Sequence, residues 1–386
     1  MPGPGRGPQP PRRNTGLVAG VSAAAVILVG GIIAGVTLVG HSGGGTPPTP
    51  SPSTSTRVSP SASGATTPAT TGPAHTGTAT LVGTLTAPGG NQMTTAFLSR
   101  DGKYVAGGSG ADVYIWSTST FQRINTVSVG TGDVAAPIAF SSDDQTLYAI
   151  DRTSREIYDL DVATGKSQTH ALPASAALGW TFGSSVVAAI DSGGTVSEYD
   201  LGTGKVFASV PNPGSASVAT VRSDGDGKYF LVSETNGTAY LVNALTKQAV
   251  GTFHYPYSGN TSVYPQVSLD GNTVYVPGGT TAPAKIWDTA SRAYITPTDV
   301  LWPTPDNGVT FGTDSKFDLT SPTSVSETVD VWNVATRAHV ITVTVPGGAN
   351  EDLVSLGPGA SELLSTSGLD INKGTFPKLN IFAVPG

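Results

Sequence analysis

AKIWDTASRAYI (284–295) and VDVWNVATRAHV (329–340) repeat one pattern in one chain, and their starts lie 45 residues apart. A period of 40–50 residues marks a propeller or a solenoid. The shared pattern is a bulky apolar residue, usually followed by Asp, Asn or Ser, then two residues, then Thr or Ser. It begins at Trp116, Leu160, Tyr199, Val242, Trp287 and Trp332, with a degenerate seventh copy at Phe382 in KLNIFAVPG. The spacing has a physical cause. The bulky residue ends a strand and packs between neighbouring sheets, while the short polar side chains hydrogen-bond the backbone of the turn that follows.

Each unit also carries an earlier turn. AFLSRDGKYVAGG (96–108), AFSSDDQTLYAI (139–150), VRSDGDGKYFLVS (221–233) and VSLDGNTVYVPGG (267–279) are apolar runs joined through Asp and Gly, which is hairpin chemistry. One repeat therefore reads as a four-stranded meander, a to d. Seven a–b–c units are present, and six are followed by a d strand. The seventh ends four residues after Phe382. ATLVGTL (79–85), directly before the first a strand, supplies the missing one. Pairing it into the last blade closes a ring and removes exposed strand edges. The expected fold is all-β: a seven-bladed β-propeller over 79–386, closed by its N-terminal strand.

IWDTASR and SLDGNTVYV resemble WD40 and YVTN-type β-propeller repeats, and the likeness extends over about 81–386. The resemblance implies a propeller and says little of function. The Gly-His dipeptide of many such repeats is missing, and only His170, His254 and His339 lie in this region. The family's histidine-to-aspartate network is therefore not expected, which leaves the blades to apolar packing.

The chain before the repeats differs in kind. Residues 1–16 are rich in Pro and Gly and hold Arg6, Arg12 and Arg13. Residues 17–40, LVAGVSAAAVILVGGIIAGVTLVG, contain no charge. As a helix rising 1.5 Å per residue they would span about 36 Å, enough to cross a bilayer with some tilt. The arginines precede the span, so the positive-inside rule places 1–16 in the cytoplasm and the remainder outside. A cleaved signal peptide is the rival reading, against which stand the length of the span and the lack of an A-x-A site. Gly31-x-x-x-Gly35 would let two such helices pack, or simply reflects the segment's glycine content. Residues 41–78 are Ser, Thr and Pro with almost no large apolar residue, a composition that reads as a disordered linker or stalk.

Charge and missing residue types narrow the chemistry. Residues 81–386 hold 16 Lys and Arg against 27 Asp and Glu, a net −11. An acidic body of this kind is a poor match for nucleic acid. The chain has no cysteine, which excludes disulfides, thiolate metal sites and a cysteine nucleophile. There is no P-loop, no H-E-x-x-H and no G-x-S-x-G, so no catalytic, metal or cofactor residue is assigned and no cofactor is expected. SDGDGK (223–228) resembles a calcium loop only in Asp224 and Asp226. Lys228 occupies the third ligand position, and the stretch reads as an a–b hairpin turn.

The loops joining b to c and d to a gather on the face where propellers usually bind ligands. Arg152 and Arg155 in DRTSR, Tyr255 and Tyr257 in HYPYSGNTSVYP, and Trp302 in TPTDVLWPTPDN are the candidate binding residues there. Aromatics among Gly, Pro and Asn suit a sugar or a peptide. The same rings would equally fill gaps between blades. The long loop 365–378 is a further candidate. The Gly-, Ala-, Thr- and Pro-rich, lysine-poor text resembles that of high-GC Gram-positive bacteria, and the arrangement resembles the outer half of their receptor kinases, with no kinase in this sequence. The expected function is that of a single-pass, membrane-anchored, extracytoplasmic module that binds a protein or a cell-wall glycan. An extracytoplasmic propeller enzyme of lactonase or quinoprotein type, and a structural envelope protein, are the alternatives.

Overall fold

The computed structural model describes residues 75–385 apart from 131–134, 152, 155, 173–176, 181–184, 192–193, 258–263, 279–283, 296–308, 312–316, 321–327, 334–337, 347–350 and 369–374. The chain forms seven sheets in a ring. Blade 1 is the meander Thr95–Leu98, Tyr104–Ser109, Asp112–Ser117 and Arg123–Ser128. Blades 2 to 5 repeat it, opening on Ala135–Phe140, Ala177–Trp180, Val218–Ser223 and Gln266–Val267. Blade 6 runs from Val309–Phe311 to His339–Thr344, and blade 7 opens on Glu351–Leu356.

Closure follows the sequence reading. Thr80–Thr86 pairs antiparallel with Lys378–Ala383 as the outermost strand of blade 7. Thr84 Oγ1 donates to Asn380 Oδ1 at 2.8 Å across 296 residues of sequence, and Leu85 is buried in the seam with blade 1. One strand was not foreseen. His75–Thr78, inside the stretch read as linker, lies parallel to His339–Thr344 and gives blade 6 a fifth strand. Gly77 makes this possible: a Cβ there would sit 2.3 Å from the ring of Pro385, so only glycine lets the strand lie against the C-terminal segment.

The repeated bulky residue has one job in every blade: it packs against the blade before it. Trp116 joins the seam between blades 7 and 1, Leu160 that between 1 and 2, and Tyr199 that between 2 and 3. Val242, Trp287, Trp332 and Phe382 do the same around the rest of the ring. Seven apolar seams thus hold the ring, each built from side chains that alternate along the strands.

The polar half of the repeat also acts as read. Asp161 Oδ1 accepts from the Thr164 amide at 2.7 Å and its hydroxyl at 2.8 Å. Asp200 accepts from the Thr203 hydroxyl, Asn243 from the Thr246 amide and Asp288 from the Ser291 amide. The next residue closes the turn with positive φ: Phe121 at 56°, Gly165 at 69°, Gly204 at 64°, Lys247 at 60° and Arg292 at 53°. Glycine takes that conformation freely, whereas the other three residues are strained by it. SDGDGK is an a–b turn, in which Asp224 Oδ1 accepts the Lys228 amide at 2.8 Å.

Among the described residues no helix is long and apolar enough to cross a membrane. Residues 17–40, read above as a membrane span, lie outside the described residues, as do 1–16 and 41–74.

Candidate functional site

The seam between blades 4 and 5 brings three tyrosines together where one blade's last strand, Gln248–His254, leads into the next. Tyr255 stacks at a tilt on Tyr264 with ring centroids 5.9 Å apart. It meets Tyr257 edge-on at 6.5 Å, and Tyr257 and Tyr264 lie 6.4 Å apart. Tyr257 and Tyr264 are half-buried. Tyr255 is 5% exposed, and its hydroxyl donates to the Glu234 carbonyl at 2.6 Å. The expectation that Tyr255 offers its ring to a ligand is therefore corrected. It is the base on which the other two rings rest, and Gly237 crowds its carbonyl so closely that a Cβ would stand 2.6 Å from the oxygen.

Arg222, on the innermost strand of blade 4, lies within electrostatic reach of Tyr264. Its position is two residues before the residue that opens the a–b turn. The same position holds Phe97 in blade 1, Ala139 in blade 2, Gln266 in blade 5 and Ser355 in blade 7. Arg222 is 7% exposed. Burial pulls its guanidinium down to about 10, partly offset by Tyr264. Burial likewise pushes the Tyr264 phenol up, helped by Tyr257, while the charge of Arg222 pulls it back. Aromatic rings beside a buried cation suit ligands that lay an apolar face on the rings and turn a hydroxyl or an anionic group towards the guanidinium. Arg222 and Tyr264 were missed by sequence reading, although a charge at one innermost-strand position of one blade was visible there.

The remaining predicted residues do not join this cluster. Arg152, Arg155 and Trp302 lie outside the described residues, as does 369–374 of the long last-blade loop. The residues flanking Arg152 and Arg155 are ordered by Asp151, whose Oδ1 accepts from the Thr153 amide at 2.8 Å.

Buried carboxylates do work that the sequence assigned to apolar packing alone. Glu234, fully buried at the end of its strand, accepts from the Ala216 amide and from Asn212 and Asn236 side chains. It thereby fixes the loop that enters blade 4. Two of the propeller's histidines have acidic neighbours: His170 Nε2 lies 3.7 Å from Asp159, and His339 Nε2 lies 3.1 Å from Asp330. The expectation of blades without histidine–aspartate pairs is corrected to this extent.

One further acid, Glu198, sits inside a seam, and the half-buried Asp159 occupies the same strand position one blade earlier. The strand position just before the bulky residue holds Ile115, Leu241, Ile286, Val331 and Ile381 in five blades, but Asp159 in blade 2 and Glu198 in blade 3. Glu198 is fully buried against Gly227 and Phe207. Ser223 comes close enough to favour its charged form slightly, but in a geometry that leaves both carboxyl oxygens without a hydrogen bond. Burial therefore pushes Glu198 up to about 9, aided by the nearby Asp224. Burial also pushes Asp159 up to about 6; His170 opposes this and Asp200 adds to it. Among the described residues no group of three or more His, Asp or Glu is placed to hold a metal ion.

No family model matches this chain, and no curated protein does. Among solved structures, the β-propeller domain of Cps50 (Swd1) from Myceliophteria thermophila aligns with a TM-score of 0.54 at 14% identity, covering 80% of this chain and 100% of that one. The protein is a seven-bladed β-propeller resembling that WD40 propeller, and at this identity the likeness is one of fold alone.

Proposed function

We propose that this propeller works by binding rather than by catalysis, as an extracytoplasmic module tethered to a membrane through residues 17–40. Its ligand, a protein or a cell-wall glycan, sits on Tyr257 and Tyr264 close to Arg222. The observation that carries the reading is the tyrosine cluster: two half-buried rings, packed at a tilt and held in place by a third that is pinned to the backbone. Rigid aromatics give large contact area at small entropic cost, which is why such residues dominate binding hot spots. Propellers commonly serve as interaction scaffolds, and a ring of rigid seams suits that use. The uncharged 24-residue stretch after three arginines supports the tether and its orientation.

The double substitution Tyr257→Ala with Tyr264→Ala tests the site. Capture is measured against purified cell-wall glycan and, separately, against detergent-solubilised envelope proteins. The double variant should keep its melting temperature within a few degrees and lose at least about tenfold in affinity for one of the two. Full capture of both by a folded variant would remove the tyrosine cluster from the argument. Orientation is tested by adding protease to intact, wall-stripped cells. Digestion only after lysis would reverse the proposed topology.

A further inference from the structure

The three most exposed large apolar side chains among the described residues are Leu245 at 90%, Phe207 at 56% and Val206 at 55%. Phe207 and Leu245 come from two blades and flank one seam, that of blades 3 and 4, whereas Val206 pairs with Tyr199 on the face towards blade 2. Val206 and Phe207 open the outer strand of blade 3, and Leu245 sits on the turn before the outer strand of blade 4. The a–b hairpin of blade 4 lies between Phe207 and Leu245. Phe207 lies against Gly227, 3.2 Å from where a Cβ would stand, and the Lys228 carbonyl accepts the Ala244 amide at 2.9 Å. Ala208 and Ala244 pack in the same core cluster just beneath.

Charge distinguishes this patch from the rest of the surface. Lys205, Lys228 and Lys247 flank it, all exposed, and they are three of the chain's nine lysines. The acids close to it are Asp226, exposed, Asp200, half-buried, and the buried Asp224 and Glu198, so exposed lysines outnumber exposed acids there on a domain that is strongly negative. Protruding Leu and Phe ringed by lysine match the chemistry of a bilayer interface, where apolar tips enter the headgroup boundary and cations meet anionic lipid.

We propose that the seam of blades 3 and 4 is a lipid-facing contact, through which the propeller rests on the surface of an anionic bilayer. This rests on the membrane tether proposed above. Residues 41–74 reach at most about 100 Å when extended at about 3.1 Å per residue, so the tether holds the propeller within range of the bilayer. Two apolar side chains and three lysines bind weakly on their own. Tethering raises the effective concentration of bilayer enough to make a weak contact persistent. A propeller lying on this edge is held at a fixed angle to the membrane.

The absence of cysteine permits a clean test. Thr246→Cys places a single thiol beside Leu245 without removing it, and an environment-sensitive fluorophore is attached there. The labelled full chain is reconstituted in vesicles of phosphatidylcholine alone, or mixed in equal parts with phosphatidylglycerol. The expected result is a blue shift and quenching by brominated lipid in the anionic vesicles only. Both should be lost in the Lys205→Gln, Lys228→Gln, Lys247→Gln variant, whose unchanged melting confirms folding. A label that stays in water in both vesicles overturns the proposal. A shift induced instead by soluble polyglutamate, with none from vesicles, overturns it in favour of an acidic protein partner. Flotation of the chain with vesicles reads the tether separately, so either reading can fail alone.

Discussion

Replacing Glu198 by Gln should make this protein more stable at neutral pH and leave it unchanged in acid. Burial raises the Glu198 carboxyl from 4.5 to about 9, so the folded chain holds a proton that the unfolded chain releases. For an acid raised in this way, the favourable contribution is complete below pH 4.5 and is lost as pH climbs towards 9. About 2.5 pH units separate 4.5 from pH 7, each worth about 1.36 kcal/mol, so folding forgoes about 3 kcal/mol at neutral pH. Glutamine keeps the size of the protonated carboxyl and cannot ionise in the unfolded chain. Glu198→Gln should thus gain on the order of 3 kcal/mol at pH 7 and nothing at pH 4. Urea unfolding followed by tryptophan fluorescence at both pH values measures the difference. A variant destabilised equally at pH 4 and pH 7 would show that the wild-type carboxyl is ionised and partnered, which would sink the argument for a neutral acid in the seam.

Other expectations follow from the ring and its turns. Deleting 80–86 uncovers Lys378–Ala383 and opens the seam at Leu85, so melting should fall by 10 °C or more on an order-of-magnitude basis, while deleting 41–70 should leave it unchanged. Gly77→Val, by displacing His75–Thr78 from Pro385, should raise amide exchange in that strand and in His339–Thr344 while Thr80–Thr86 stays protected. Arg292→Gly relieves a left-handed residue on an exposed turn and should stabilise by about 1 kcal/mol in denaturant unfolding; a loss would mean the arginine side chain holds the turn. Asp159→Leu should flatten the pH dependence of stability between 3.8 and about 6, gaining at the upper end, because this raised acid likewise favours folding only while protonated.

The fold was legible because the repeat couples two requirements in adjacent residues. Trp287 must reach the preceding blade and Asp288 must cap the next turn, so neither residue type can drift far. The closing strand was legible by counting, since one blade lacked an outer strand and ATLVGTL was unspent. His75–Thr78 was not, because HTGT has no apolar alternation and pairs by backbone alone at a sheet edge. The site was only half legible. Tyr255 and Tyr257 stood out as loop aromatics, but whether a ring faces solvent or the seam depends on Glu234 and Gly237, which are distant in kind from any loop motif. Glu198 and Asp159 were visible only by comparing the residue before the bulky one across all seven repeats. A buried acid has no sequence signature apart from standing where its counterparts are aliphatic.

The pairing of Thr80–Thr86 with Lys378–Ala383 has a consequence for how the protein is made. The strand that completes the ring is among the first of the propeller to be synthesised, and its partner is the last. Until Lys378–Ala383 emerges, the early strand has no edge to join and blade 1 has no predecessor to receive Trp116. Six blades can assemble during synthesis, but none of them is sealed. Closure is thus a test of completeness: a chain cut short before Lys378–Ala383 leaves both ends of the ring open to proteases and to foreign strands. Quality control is written into the order of the strands, with no added signal required.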